Sequence, residues 1–141
     1  MSTNWSERYA RRLTWMTTSV IRDIFKYIQS KDIISLAGGW PEADLFPVGQ
    51  IDDITHYVLK EMPHQSLQYG MTDGFTPLRE AIADWMTELG VPAKVENIAI
   101  TSGSQQALDL MGRIFLNEGD TVLVESPTFL GATQSFNAYG V

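Results

Sequence analysis

A short run of small polar residues, Thr101-Ser102-Gly103-Ser104, stands between two strongly apolar segments. The residues after the run follow the spacing of an amphipathic helix, which puts the run at the start of that helix. Backbone N–H groups at a helix start lack partners within the helix, and the helix dipole adds positive potential there. Gly103 lets the backbone come close to a ligand, and Ser104 and Gln105 add hydrogen-bond donors. The pattern is therefore compatible with an anion site, for example for phosphate.

The same run has a purely structural interpretation, because serine or threonine before a helix commonly serves as its N-cap. The spacing matches neither the glycine pattern of dinucleotide-binding folds nor the phosphate loop of nucleotide triphosphatases. From the spacing alone, the N-cap interpretation is therefore favoured over the anion site.

The segments on either side of this run are predicted to form a βαβ unit. Residues 98–101 are apolar and β-branched, which is typical of a strand covered on both faces, and residues 121–125 repeat this composition. Between them the helical spacing ends near Asn117-Glu-Gly-Asp120. Two strands joined through a helix should be parallel, with a right-handed crossover. The apolar positions of the helix are Leu108, Met111, Gly112 and Phe115 on one face and Leu110 and Ile114 on another.

A second helix is predicted with both of its ends marked. Thr76 is the expected N-cap, Pro77 suits the first helical position, and Gly90 suits the C-terminal stop. Its periodicity predicts one buried apolar face. That face would comprise Leu78, Ala81, Ile82, Trp85, Met86 and Leu89.

Three further helices follow from the spacing of apolar residues, at residues 19–28, 48–62 and 126 to about 138. The last of these would carry Phe129 in its first turn, at the carboxyl end of a strand, where ligands gather in open α/β sheets. Residues 1–18 mix arginines with aromatic residues and are interpreted as an arm that packs on a neighbouring subunit.

Composition argues against several classes of function. The net charge is −7 and no run of lysine or arginine occurs, which argues against nucleic acid and anionic membrane surfaces as partners. The chain has no cysteine and two scattered histidines, so disulfides and thiolate or histidine-cluster metal sites are excluded. No apolar stretch approaches the ~20 residues of a membrane helix. The N-terminus lacks the pattern of a signal peptide, so a cytoplasmic protein is the default.

Five segments in chain order resemble fold-type I aminotransferases that depend on pyridoxal 5'-phosphate, with the α-aminoadipate/kynurenine aminotransferases as the closest subgroup. The segments are Leu36-Ala-Gly-Gly-Trp-Pro41, Asp44-Leu-Phe-Pro47, Leu67-Gln-Tyr-Gly70, Thr101-Ser-Gly-Ser-Gln-Gln-Ala-Leu-Asp-Leu110 and Asn117-Glu-Gly-Asp-Thr-Val-Leu-Val-Glu-Ser-Pro-Thr-Phe-Leu-Gly131.

The resemblance implies an incomplete α/β fold, namely the N-terminal portion of the fold-type I architecture. A helical N-terminal segment would precede the first βαβ part of the mainly parallel sheet of the large domain. Residues 1–47 would form the arm, a helix and a substrate-side loop of the small domain and interface. Residues 48–141 would begin the cofactor-binding large domain.

The resemblance also implies which residues bind the cofactor, pyridoxal 5'-phosphate. Gly103, Ser104 and Gln105 match its phosphate-binding segment, and Phe129 matches the aromatic residue that stacks on the pyridine ring. Tyr69 matches a tyrosine that reaches the cofactor or substrate of the other subunit in a homodimer. Without the resemblance, Phe129 would be interpreted as a core residue and Tyr69 equally well as a packed loop residue.

The resemblance further implies that three residues contact the substrate. Ser19 and Arg22 match a Ser-x-x-Arg segment that lines the substrate pocket, and Gly39 matches a loop residue beside the substrate. A guanidinium holds a carboxylate through two parallel hydrogen bonds. Arg22 therefore points to an amino acid with a second carboxylate, such as glutamate or 2-aminoadipate, with a 2-oxo acid as the acceptor. Trp40 is larger than the aliphatic residue expected there, which bears on the size of the pocket.

The chemical step needs a lysine amine, and none of the four lysines, Lys26, Lys31, Lys60 and Lys94, matches the family's position. We therefore expect a truncated chain that is inactive alone, with no catalytic residue and no metal ligand. The alternative is a non-enzymatic, aminotransferase-like sensor or a degenerate remnant. The absence of a preceding basic DNA-binding segment argues against a sensor.

Overall fold

The computed structural model describes residues 4–16, 36, 39 and 41–141. Within these residues the chain forms five α-helices and four short 3-10 turns. The α-helices are α1 (Val48–Glu61), α2 (Pro63–Leu67), α3 (Thr76–Glu88), α4 (Ser104–Phe115) and α5 (Leu130–Asn137). The 3-10 turns are Trp5–Glu7, Arg11–Thr14, Ala43–Leu45 and Val95–Asn97.

Contacts divide the chain into two compact units. Met1–Asp23 and Thr101–Val141 form one, which we call the α4–α5 unit, and Ile24–Ile100 form the other, which we call the α1–α3 unit. The predicted domain boundary between residues 47 and 48 stays a prediction. The helix predicted at residues 19–28 lies outside the described residues.

Helix α1 confirms the prediction for residues 48–62 to within one residue, because it spans Val48–Glu61. Its apolar side chains are largely exposed, and Val58 alone in this helix is partly buried. Helix α2 follows almost at once, with Pro63 in its first turn, where a missing N–H costs no hydrogen bond.

Helix α3 occurs where it was predicted, but its N-cap differs. Phe75 is the N-cap residue and Thr76 is already helical, so the threonine does not cap the helix. The C-terminal end agrees with the prediction. Gly90, with φ of 84°, donates its N–H to the Thr87 carbonyl, and Val91 donates to the Met86 carbonyl. This is the Schellman pattern, which needs a residue that tolerates positive φ.

The buried face of α3 also differs from the prediction. Its two buried residues are Arg79 and Ala83, whereas Leu78, Trp85 and Leu89 are exposed. The Arg79 guanidinium donates to the carbonyl oxygens of Ile98 and Val95, each at 2.8 Å, and pairs with Asp73. Because these carbonyls need a donor, the helix presents its arginine to them instead of its leucine and tryptophan side chains.

Helix α4 confirms the predicted helix after the polar run, and it packs on α5. Gly112 is buried at this contact, against the ring of Tyr139. On α5 the buried residues are Gly131 and Ser135, one turn apart. Helix α5 begins at Leu130 and not at Ser126, and Phe129 is its N-cap residue, so the expectation that Phe129 lies in the first turn was wrong.

The two strands of the predicted βαβ unit are not formed in the described part of the chain. No strand forms at residues 98–101 or at residues 121–125. Ile98 nevertheless has extended backbone dihedral angles, with φ of −110° and ψ of 127°. A strand requires a neighbouring backbone to complete its ladder. The Ile100 N–H instead donates to the Asp73 carbonyl, and Leu123 is almost fully exposed. The expected burial on both faces is therefore absent at these residues.

The N-terminal arm, residues 4–16, contacts its own chain within the α4–α5 unit. Arg11 forms an ion pair with Glu118, and its guanidinium lies 5.3 Å from the ring centroid of Trp15. The indole of Trp15 lies against Gly140, where a Cβ would be 3.0 Å from the ring. Through these contacts the arm packs beside the end of α5.

Apolar surface is unusually exposed in the described residues. Ala83 is the one apolar side chain there that is buried, and no large side chain is fully buried. Among the described helices, none has the length and apolar character to cross a membrane.

We expect the isolated 141-residue chain to bind a hydrophobic dye and to aggregate, because such exposed apolar patches favour association. Dye fluorescence and light scattering at increasing protein concentration would measure this. A sharp and reversible two-state thermal transition of a monomer would contradict it.

We expect Gly112→Ala to destabilise the α4–α5 unit although alanine favours helices. The added Cβ would lie 2.6 Å and 2.8 Å from two ring carbons of Tyr139, and such overpacking costs about 1–3 kcal/mol. Amide exchange of α4 measures the loss. Gly49→Ala is the control, since helix α1 leaves open space there; this substitution should not destabilise α1, as measured by amide exchange of α1 itself. Equal stabilisation by both substitutions would contradict the proposed contact.

Candidate functional site

The turn before α4 is shaped by one glycine. Gly103 is the N-cap residue and has φ of 80° and ψ of 171°, a backbone region that is essentially restricted to glycine. A Cβ placed on Gly103 would meet no atom within 4 Å, so the backbone faces open space. The N-cap is therefore a residue without a side chain, and the interpretation of the run as a serine or threonine cap was wrong.

The first turn of α4 keeps the features that favour an anion. Ser104 and Gln105 are exposed, and the first turn contains no acidic residue. The residues before it are held by two hydrogen bonds: the Gly103 N–H donates to the Thr101 carbonyl at 2.9 Å, and the Ser102 N–H donates to the side chain of Gln106 in α4. The start of the helix thus points its N–H groups outward without a carboxylate to repel an anion.

The side chain of Gln105 turns towards α5. Its amide nitrogen donates to the hydroxyl of Ser135 and, at 3.3 Å, to the carbonyl of Gly131. The sequence had suggested this side chain as a donor to an anion. In the structure its N–H groups serve contacts within the protein, and the backbone N–H of Gln105 is the group that remains at the helix start.

Phe129 lies beside Gln105. A Cβ placed on Gly131 would be 2.6 Å from Cε1 of the Phe129 ring and 2.9 Å from Oε1 of Gln105. Both side chains therefore meet over the same glycine. Phe129 as a whole remains 57% exposed, so part of this residue is accessible to a ligand. The structure brings together Gly103, Ser104, Gln105 and Phe129 in the α4–α5 unit.

Tyr69 belongs to the α1–α3 unit and is fully exposed, with a relative accessibility of 100%. It borders a cavity of about 740 Å³ that is lined by residues from Val58 to Pro77. His64, Met71 and Phe75 are also part of this lining. Tyr69 is thus accessible to a ligand or to another chain.

The structure shows little about the three predicted substrate-binding residues. Gly39 is exposed, and a Cβ there would meet no atom within 4 Å. Ser19 and Arg22 lie outside the described residues. The substrate roles of all three stay predictions.

A polar cluster that the sequence did not reveal joins α4 to the end of α5. The Tyr139 hydroxyl donates to the Asp109 carboxylate at 2.8 Å and approaches its carbonyl oxygen at 3.1 Å. The Arg113 guanidinium donates to the same carboxylate at 3.0 Å. The neighbouring Tyr139 hydroxyl and then the charge of Asp109 raise the pKa of Arg113 above its ordinary value. Asp109 and Arg113 both belong to α4, so the Tyr139 hydroxyl is the member of the cluster that links this helix to the residues after α5.

Residues 32–141 match the family model for aminotransferase class I and II. The chain belongs to this aminotransferase family. The polar run and Phe129 both lie within the matched residues. The family resemblance derived from five sequence segments is therefore confirmed.

Individual aminotransferases match the chain nearly from end to end. Aromatic-amino-acid aminotransferase 1 of Thermococcus litoralis is 47% identical over 137 residues, which are 96% of this chain and 33% of that protein. The 2-aminoadipate transaminase of Thermus thermophilus is 41% identical over 97% of this chain and 33% of its own length. The chain thus spans about a third of the length of the curated relatives it matches.

A solved structure confirms the fold class. The crystal structure of LysN, the α-aminoadipate aminotransferase of Thermus thermophilus in complex with N-(5'-phosphopyridoxyl)-L-leucine, is 40% identical and has a TM-score of 0.82. It covers 98% of this chain, which in turn covers 33% of it. The chain therefore has the fold of part of a fold-type I aminotransferase.

Gly103→Ala should distort the start of α4, because alanine is strained at these dihedral angles by about 1–3 kcal/mol. Amide exchange of α4 would report the loss of stability. Ser104→Ala is the matched control one residue later, since the helical backbone there accepts alanine readily. If the amide exchange rates of α4 were equal in the two variants, the turn would not require glycine at position 103.

Proposed function

We propose that this chain supplies the phosphate-binding and ring-stacking part of an aminotransferase that uses pyridoxal 5'-phosphate. The observation that carries the proposal is the meeting of Gln105 and Phe129 over Gly131, next to the start of α4 that Gly103 caps, in a chain of this family. The reaction would transfer an amino group from an amino acid to a 2-oxo acid.

The residues at the start of α4 fit a phosphate group. A helix start offers outward N–H groups and a favourable dipole, and a glycine N-cap allows close approach of the anion. The absence of acidic residues in the first turn removes a source of repulsion. Gly103, Ser104 and Gln105 would hold the phosphate chiefly through their backbone.

Phe129 fits the aromatic part of the same cofactor. Its ring offers a flat apolar surface, and aromatic pairs gain about 0.5–1.5 kcal/mol beyond the buried area. When bound, pyridoxal 5'-phosphate supplies an electron sink that lets an amino group be taken up and given back. Phe129 would orient the ring of the cofactor while the helix start fixes its phosphate.

The amine that the reaction needs has no candidate among the described lysines. Lys60 lies 3.3 Å from Glu61 and Lys94 lies 3.9 Å from Glu96, and both are largely exposed surface ion pairs. Residues 1–23 and 101–141, which make up the α4–α5 unit, contain no lysine. In this proposal the chain binds and orients the cofactor, and the lysine belongs to residues outside it.

The substrate and the assembly are part of the proposal. Arg22 favours a dicarboxylic amino acid such as glutamate or 2-aminoadipate. The full exposure of Tyr69 supports a role at the site of a second subunit in a homodimer. A net charge of −7 supports the absence of nucleic acid and membrane partners, and we propose a cytoplasmic location.

A chimera tests this function. The 141-residue chain would replace the matching third of the Thermus thermophilus 2-aminoadipate transaminase, and both pyridoxal phosphate binding and amino transfer would be assayed. We expect a folded, active chimera. In it, Phe129→Ala should raise the Kd for pyridoxal phosphate about 2- to 10-fold through lost stacking, and Phe129→Tyr should not.

Phe115→Ala is the matched control, because Phe115 lies in the same unit and is similarly exposed, at 65%. It should leave the Kd unchanged. A folded chimera that fails to bind pyridoxal phosphate would contradict the proposal. Binding without amino transfer would favour the non-enzymatic alternative.

A further inference from the structure

We propose that Ser135 is a positioning residue, which fixes the first turn of α4 by holding the side chain of Gln105; the proposal rests on the function proposed above. Ser135 is buried, with 8% of its surface accessible, and its hydroxyl accepts a hydrogen bond from the Gln105 amide. One helical turn earlier, the Gly131 carbonyl accepts from the same amide nitrogen at 3.3 Å. Helix α5 thus offers two acceptors to one side chain.

This arrangement changes the role of Gln105. Because its side-chain N–H groups are bonded to α5, its contribution to an anion comes from the backbone N–H in the first turn of α4. The direction of that N–H depends on the orientation of the turn. The side chain, held at its far end by Ser135, restrains that orientation.

The same contact links the two ends of the proposed cofactor site. Oε1 of Gln105 and the ring of Phe129 both approach Gly131 closely, and Phe129 is the residue from which α5 starts. A displacement of Gln105 would therefore alter the packing of the ring. Ser135 couples the phosphate-binding turn to the stacking residue without touching the cofactor.

The test uses two substitutions of equal shape in the chimera described above, which completes the cofactor site. Ser135→Thr keeps a hydroxyl and Ser135→Val lacks it. Two quantities are measured at micromolar concentration: the Kd for pyridoxal 5'-phosphate, and amide exchange of residues 107–110 by mass spectrometry. Thr133→Val is the control, because it removes a hydroxyl from the same helix that bonds only to the Leu130 carbonyl at 3.0 Å.

Ser135→Val should speed exchange at residues 107–110 and raise the Kd about 2- to 10-fold, the range expected for one lost hydrogen bond. Ser135→Thr and Thr133→Val should match the parent chimera. Equal behaviour of the threonine and valine variants at position 135 in both measurements would overturn the proposal. If the folded parent chimera does not bind pyridoxal phosphate, the proposed function loses its support, while the exchange data still decide whether Ser135 holds the turn.

Discussion

The α4–α5 unit depends on the close approach of its two helices. Gly112 leaves room for the ring of Tyr139, and Gly131 leaves room for the ring of Phe129 and the side chain of Gln105. A Cβ at either glycine would displace an aromatic ring. Helices of 12 and 8 residues are marginal alone, so their stability must come from packing against each other. The two glycines allow that packing, and the aromatic rings fill the contact.

In the α1–α3 unit, a charged side chain stabilises the packing. Arg79 lies buried on α3 and bonds to two backbone carbonyls as well as to Asp73. A buried guanidinium is tolerated because its donors are paired, and the carbonyls gain a partner that no strand ladder supplies. The segment that leads from Val95 to Ile98 is therefore held by a side chain and not by a neighbouring strand.

The sequence predicted the positions of the helices better than it predicted which of their faces are buried. Apolar spacing located α1, α3 and α4 nearly to the residue, and Gly90 marked the end of α3, because both signals are local. The buried face of α3 was mispredicted, since the demand of distant carbonyls for Arg79 outweighs apolar periodicity. The strands were predicted from composition, but a strand also needs a partner backbone. The cofactor roles of Gly103 and Phe129 stay predictions, although both residues lie in the α4–α5 unit. The contact of Gln105 with Ser135 depends on tertiary packing, which no local sequence pattern reveals.

The identity of the N-cap residue bears on what the turn before α4 can do. A serine or threonine cap would place its own oxygen on the N–H groups of the first turn, and an anion would have to compete with it. Gly103 has no such oxygen, and its backbone region excludes residues with a side chain. The N–H groups of the first turn therefore receive no side-chain oxygen from the N-cap residue. Because glycine costs only about a few tenths of a kcal/mol relative to a serine or threonine cap, α4 can start at Gly103 with little loss of stability. In the function proposed above, the uncapped N–H groups are then left to the phosphate.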